Sequence, residues 1–188
     1  NGWPVAGEVF KEGTYEIESE RRGYALELAV DFVRMEYTRH RFWEKDDTPV
    51  VPLKPQTLED VIGTWPQGKI NVRIGDYMFR PHQKWTITAV PNGGGYLGGP
   101  YYKIVIEGTN RALAATAGAE IVTVPEFTGA PEQLWRIDQL TDGTYRIMPK
   151  KVPGTDKELV LVSVGDSPPS LDIFDMNSDN AKWNFRDH

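Results

Sequence analysis

The stretch INVRIGDYMFRPHQKW, Ile70–Trp85, lies without a gap over EIVTVPEFTGAPEQLW, Glu120–Trp135, so that Val72 meets Val122, Pro81 meets Pro131, Gln83 meets Gln133 and Trp85 meets Trp135. Upstream, placing Tyr15 over Tyr102 aligns Ile17 with Ile104, Glu20 with Glu107, Ala25 with Ala112 and Leu26 with Leu113, again ungapped. Both of these stretches read as strand, turn, strand. A third copy opens at GTYRI, Gly143–Ile147, which echoes GTYEI, Gly13–Ile17, and closes at AKWNF, Ala181–Phe185. Trp85, Trp135 and Trp183 stand 50 and 48 residues apart. A period of that length suits one four-stranded unit of two hairpins, and three such units imply a pseudo-threefold barrel with a hairpin cap.

Composition agrees. Eighteen glycines and fourteen prolines lie scattered among short β-branched and aromatic runs, the texture of many short strands and turns. The 188 residues fit one domain, 1–188. The chain has no cysteine, which removes disulfides, thiolate metal sites and a cysteine nucleophile and leans the expected localisation toward the cytoplasm. A formal charge of −6 argues against nucleic acid, which is bound through a basic face that replaces phosphate counterions. No stretch approaches the roughly 18 apolar residues of a membrane span.

The repeats resemble those of the ricin-B-type β-trefoil lectins, whose units carry a Gln-x-Trp signature near the last strand. It stands here as Gln83-Lys84-Trp85 and Gln133-Leu134-Trp135, and is degraded to Ala181-Lys182-Trp183. The resemblance covers about residues 10–186 and implies an all-β trefoil, with repeats at about 10–85, 86–135 and 136–188. The three tryptophans are expected in the core, since burying an indole removes a large apolar area from water. Gln83 and Gln133 are expected to bond backbone within their own repeats.

Function in such a scaffold sits on departures from symmetry. Tyr15 to Trp85 is 70 residues, against 33 for Tyr102 to Trp135 and 38 for Tyr145 to Trp183, so the first repeat carries an insertion at about 31–68. Within it Val33, Met35, Tyr37, Arg39, Arg41 and Trp43 alternate with Arg34, Glu36, Thr38, His40, Phe42 and Glu44 at the period of a strand. The insertion has three open roles: packing over the barrel end, a homodimer interface, or a partner surface around Arg39, His40, Arg41 and Trp43. A second departure is the glycine-rich run from Pro91 to Pro100, read as a connector between repeats.

The lectin resemblance implies a non-catalytic protein whose partners are glycans or glycoproteins, with galactose-type sugars as the family expectation and no cofactor. In that family an acid following a small-Leu pair accepts sugar hydroxyls while an aromatic face covers the ring. Repeat one resembles this pattern: Ala25-Leu26-Glu27-Leu28 supplies Glu27, Tyr77 or Trp65 the platform, and His82 stands where an asparagine often precedes the glutamine. Repeat two has Ala112-Leu113-Ala114-Ala115, without an acid, and Glu132 at the amide position. Repeat three gains about four residues around Pro153-Gly154-Thr155, leaving Asp166, Asp172 and Asn180 as polar candidates. The chain is also similar to cysteine-free mushroom β-trefoil protease inhibitors of the clitocypin type, which implies a protease partner engaged by the 92–99 loop or by the insertion. An enzyme is not expected: His40, His82 and His188 show no metal-ligand spacing, and no Gly-x-Ser-x-Gly occurs.

Overall fold

The computed structural model describes residues 10–21, 23–30, 58–96 and 99–187, without the side chains of 92–99. The expected strand at 33–44 and the Arg39–Trp43 cluster lie outside the described residues. Two compact units form: residues 1–29 with 66–188, and residues 30–65. The second contains the short helix α1 (Leu58–Ile62), closed by the Gly63, Thr64 and Trp65 amides donating to the carbonyls of Glu59, Val61 and Ile62.

Among its described residues the larger unit holds twelve strands: β1 (Gly13–Ser19), β2 (Ala25–Leu28), β3 (Ile70–Gly75), β4 (Trp85–Tyr96), β5 (Gly99–Ile106), β6 (Ala112–Ala115), β7 (Ile121–Val124), β8 (Trp135–Gln139), β9 (Tyr145–Pro149), β10 (Val160–Val162), β11 (Ser170–Asp172) and β12 (Trp183–Asp187). Strands β12, β9, β8, β5, β4 and β1 pair in that order, and β12 pairs with β1, which closes a six-stranded barrel and removes its edges. The hairpins β2–β3, β6–β7 and β10–β11 form the cap. Each set of four consecutive strands is one repeat, and each fourth strand opens on its tryptophan. The repeat boundaries placed at 85 and 135 therefore fall at the start of the fourth strand, which runs on beyond them. The Pro91–Pro100 run continues β4 and β5 as a ribbon, with Gly95 opposite Pro100 and Tyr96 opposite Gly99, across a register shift between Val90 and Gly95.

Trp85, Trp135 and Trp183 are each fully buried. Their indole N–H groups donate to the carbonyls of Leu26, Leu113 and Leu161 at 2.9, 2.8 and 3.0 Å. Each tryptophan thus fills the core and pins a cap hairpin to the barrel, satisfying a carbonyl that burial would otherwise strand. The three bonds also register repeat three, where the sequence left it ambiguous: Leu161 corresponds to Leu26 and Leu113. At the barrel axis Phe10 sits among the equivalent Tyr15, Tyr102 and Tyr145, with ring centroids at 5.1, 5.9 and 5.5 Å.

Candidate functional site

The indole register makes the repeats comparable residue by residue. One position after the pinned leucine stand Glu27, Ala114 and Val162. Their cross-strand partners in the cap hairpins are Arg73, Val122 and Ser170. Three positions before the tryptophan come His82, Glu132 and Asn180, and two before it Gln83, Gln133 and Ala181. Only repeat one assembles a charged cluster from these positions.

Glu27 is buried, and its two oxygens are held from three sides. Arg73 Nε donates to Oε2 at 2.7 Å, Gln83 Nε2 donates to Oε1 at 2.9 Å, and His82 Nε2 lies 3.4 Å from Oε2. Burial by itself raises the Glu27 pKa, but the hydrogen bonds from His82, Arg73 and Gln83 outweigh it and hold the carboxyl below its ordinary value. The group is an ionised acceptor set in a protein floor. Arg73 has 42% of its side chain exposed, against 5% for His82, so the cluster meets solvent through its guanidinium. Gly75 is required beside it: a Cβ there would fall 2.8 Å from Glu27 Oε1.

The loop between β3 and the Pro81–Gln83 turn wraps the same glutamine. Gln83 Oε1 accepts from the Met78 amide at 2.8 Å, and Gln83 Nε2 also donates to the Asp76 carbonyl at 2.7 Å. Gln133 anchors the matching loop through the Thr128 amide. Phe79 is held at φ 57, in the left-handed region that costs a bulky residue roughly 1–3 kcal/mol. Its ring, 72% exposed, packs on Tyr77 with centroids 4.7 Å apart. Strain and exposure fall on one aromatic residue in the loop that cradles the Glu27 partner.

Of the residues singled out in the sequence, Glu27 and His82 come together, and Tyr77 lies on the adjoining loop. Trp65 is a buried residue of the 30–65 unit. Asp166 is exposed in the turn after β10, Asp172 ends β11, and Asn180 is the half-buried counterpart of His82. The acid position of repeat three is taken by Val162, which is buried. Sequence reading missed Arg73 and Phe79. The ungapped alignment sets Arg73 against Thr123; only the cross-strand register, which pairs Glu27 with Arg73 and Ala114 with Val122, marks it as a charge where its counterpart is apolar.

The closed barrel with three cap hairpins defines a β-trefoil. Residues 81–162, less than half of the chain, match the family model described as ricin-type β-trefoil lectin domain-like. No curated protein matches the chain in sequence. Among solved structures it is similar to the designed threefold-symmetric protein ThreeFoil, at 18% identity and a TM-score of 0.61, covering 94% of this chain and 99% of that one. It is also similar to the β-trefoil lectin of the Vibrio vulnificus hemolysin/cytolysin with N-acetyl-D-lactosamine bound, at 12% identity and a TM-score of 0.55, covering 94% and 95%. An exo-β-1,3-galactanase from Clostridium thermocellum contains a similar trefoil, at 15% identity and a TM-score of 0.56, covering 95% of this chain but 31% of that one. No helix among the described residues is long and apolar enough to cross a membrane.

Proposed function

We propose that this chain is a non-catalytic carbohydrate-binding protein whose sugar site is in repeat one, with galactose-containing glycans as its ligands. The observation that carries the reading is the placement of an ionised, hydrogen-bonded carboxylate, present in one of three equivalent positions, beside a strained and exposed aromatic loop. An ionised carboxylate accepts sugar hydroxyls, and an aromatic ring covers the apolar face of a pyranose. A hydroxyl reaches Glu27 Oε2 from solvent by displacing Arg73, the half-exposed partner, while Gln83 and His82 keep the carboxylate oriented. Phe79 supplies the platform, with Tyr77 bracing it from behind.

Glycan-array binding of the wild type beside Phe79→Ala and Glu27→Ala tests this. Phe79 is largely exposed, so its loss leaves the fold intact and reads binding alone. The expected result is selective binding to galactose-terminated glycans, weakened by at least tenfold in Phe79→Ala and abolished in Glu27→Ala. A blank array, or binding indifferent to both substitutions, overturns the proposal.

A further inference from the structure

The three grooves between neighbouring repeats are equivalent, and backbone hydrogen bonds register them. The amides of Glu20, Glu107 and Lys150 donate to the carbonyls of Lys182, Lys84 and Leu134, the residues preceding the three tryptophans. One residue after each tryptophan stand Asn184, Thr86 and Arg136, and across the strand from these Thr144, Thr14 and Tyr101. In two grooves the set is neutral or acidic. In the first, Asn184 donates to the Glu20 carboxylate, and in the second Thr14 and Thr86 bond each other at 3.0 Å. In the third, a glutamate is replaced by Lys150 and a small polar residue by Arg136, so two cations share the place of a hydrogen-bonded pair.

That groove also differs in its walls. The residues added to repeat three around Pro153-Gly154-Thr155 wall it into a cleft of about 190 Å³, whose lining includes Arg136, Lys150, Lys151 and Lys157 against the carboxylates of Asp156 and Glu158. The cations differ in their partners. Arg136 is buried and shares Asp138 with Arg146, both at 2.8 Å, and Lys150 lies over the Tyr101 ring at 5.1 Å. Lys151 pairs with Asp156, but that carboxylate is fully exposed and the pair is weak. A protein of net charge −6 thus gathers four cationic side chains around one open cleft that two carboxylates also line.

We propose that this cleft binds the charged group of an acidic saccharide, a sulfate or a uronate carboxylate, as a second site separate from Glu27. The inference rests on the carbohydrate-binding reading for its choice of a sugar over other anions; the volume suits about one sugar residue, and the exposed ammonium groups of Lys150 and Lys157 can turn toward a compact oxyanion.

Isothermal titration of the full chain with methyl galactoside 6-sulfate, methyl galacturonide, methyl galactoside and sodium sulfate tests it, using the Lys150→Gln/Lys157→Gln variant and Phe79→Ala. Both lysines are exposed, so the double variant folds. The expected result is that one or both acidic sugars bind more tightly than the neutral one and more tightly than sodium sulfate. The lysine variant weakens that binding about tenfold or more per charge lost, while Phe79→Ala leaves the charge-dependent part in place. Raising the salt weakens the acidic sugars and spares the neutral one. Acidic sugars that bind no better than methyl galactoside, or that ignore the two lysines, overturn the proposal. Sodium sulfate matching them overturns the assignment to a sugar. Failure of methyl galactoside alone counts against the Glu27 site and leaves this one standing.

Discussion

Replacing Glu27 by glutamine is expected to cost about 2–3 kcal/mol of folding stability. The side chain keeps its shape but loses its charge, and of its two terminal atoms one becomes a donor. The carboxylate now accepts from Arg73 and Gln83 on different oxygens, with His82 close to the first. A glutamine carbonyl serves one side only, so a buried donor on the other is left without an acceptor, at roughly 1–3 kcal/mol. The lost charge assistance adds to this, discounted because Arg73 is half-exposed and relaxes into water. Urea unfolding at neutral pH, with an unchanged slope, measures the difference as a shift in midpoint. The sharper half of the prediction is a rescue. Glu27→Ala, Arg73→Val and His82→Glu together install the repeat-two set of Ala114, Val122 and Glu132 around a glutamine both repeats share, and that triple variant is expected within about 1 kcal/mol of wild type, because the buried carboxylate leaves with its partners and the new one takes the half-buried, solvent-reaching position of Glu132. It should bind no glycan. The folded pKa of Glu27 lies below its unfolded value. The carboxylate's contribution is therefore present above the unfolded value and lost as pH falls through the folded one, so the gap between wild type and the glutamine variant narrows in acid. A triple variant as unstable as the single one, or a gap that widens in acid, refutes the reasoning.

Phe79→Gly should raise the unfolding free energy by about 1 kcal/mol, read by urea denaturation, since glycine adopts the left-handed conformation without penalty and little packing is lost, while glycan affinity falls. Trp135→Phe should cost about 2–4 kcal/mol by chemical denaturation, through the orphaned Leu113 carbonyl and the underfilled core. Asp142 is held at about 2: burial raises it, but hydrogen bonds from Lys182 and Thr144 prevail. Its stabilisation is thus complete above pH 4 and fades toward pH 2, so Asp142→Asn should lower the neutral plateau of a pH–stability curve and flatten its acid limb, converging on wild type toward pH 2. An unchanged acid limb would count against the Lys182 contact.

The barrel was legible because its determinants repeat. Tyr, Ile and Trp recur at fixed offsets, and each buries the same face in each copy, so three weak signals reinforce one another. The third repeat resisted because Leu159–Val162 is uniformly apolar. Either Leu159 or Leu161 could have been the pinned leucine, and about four added residues moved the segment out of phase. Polar character then favoured Asp166, Asp172 and Asn180, whereas the indole of Trp183 selects Leu161 and so puts Val162 at the acid position. Glu27 and His82 were legible by position against the family pattern. Arg73 was not, because its alternation fits an ordinary strand, and its pairing to Glu27 depends on a cross-strand register that the loop lengths do not announce.

The pairing of β1 with β12 has a kinetic consequence. Tyr15 lies opposite Asp187, and Phe10, just upstream of β1, packs against Phe185 with ring centroids 4.6 Å apart. The barrel therefore closes only when residues from the two ends of the unit meet, after the intervening loops have lost their freedom. Folding of this trefoil should be slow for its size, in the range of milliseconds to seconds typical of proteins dominated by distant contacts. Until β12 docks, β1 and β9 present open edges, and the last repeat to form decides how long they stay exposed to other chains.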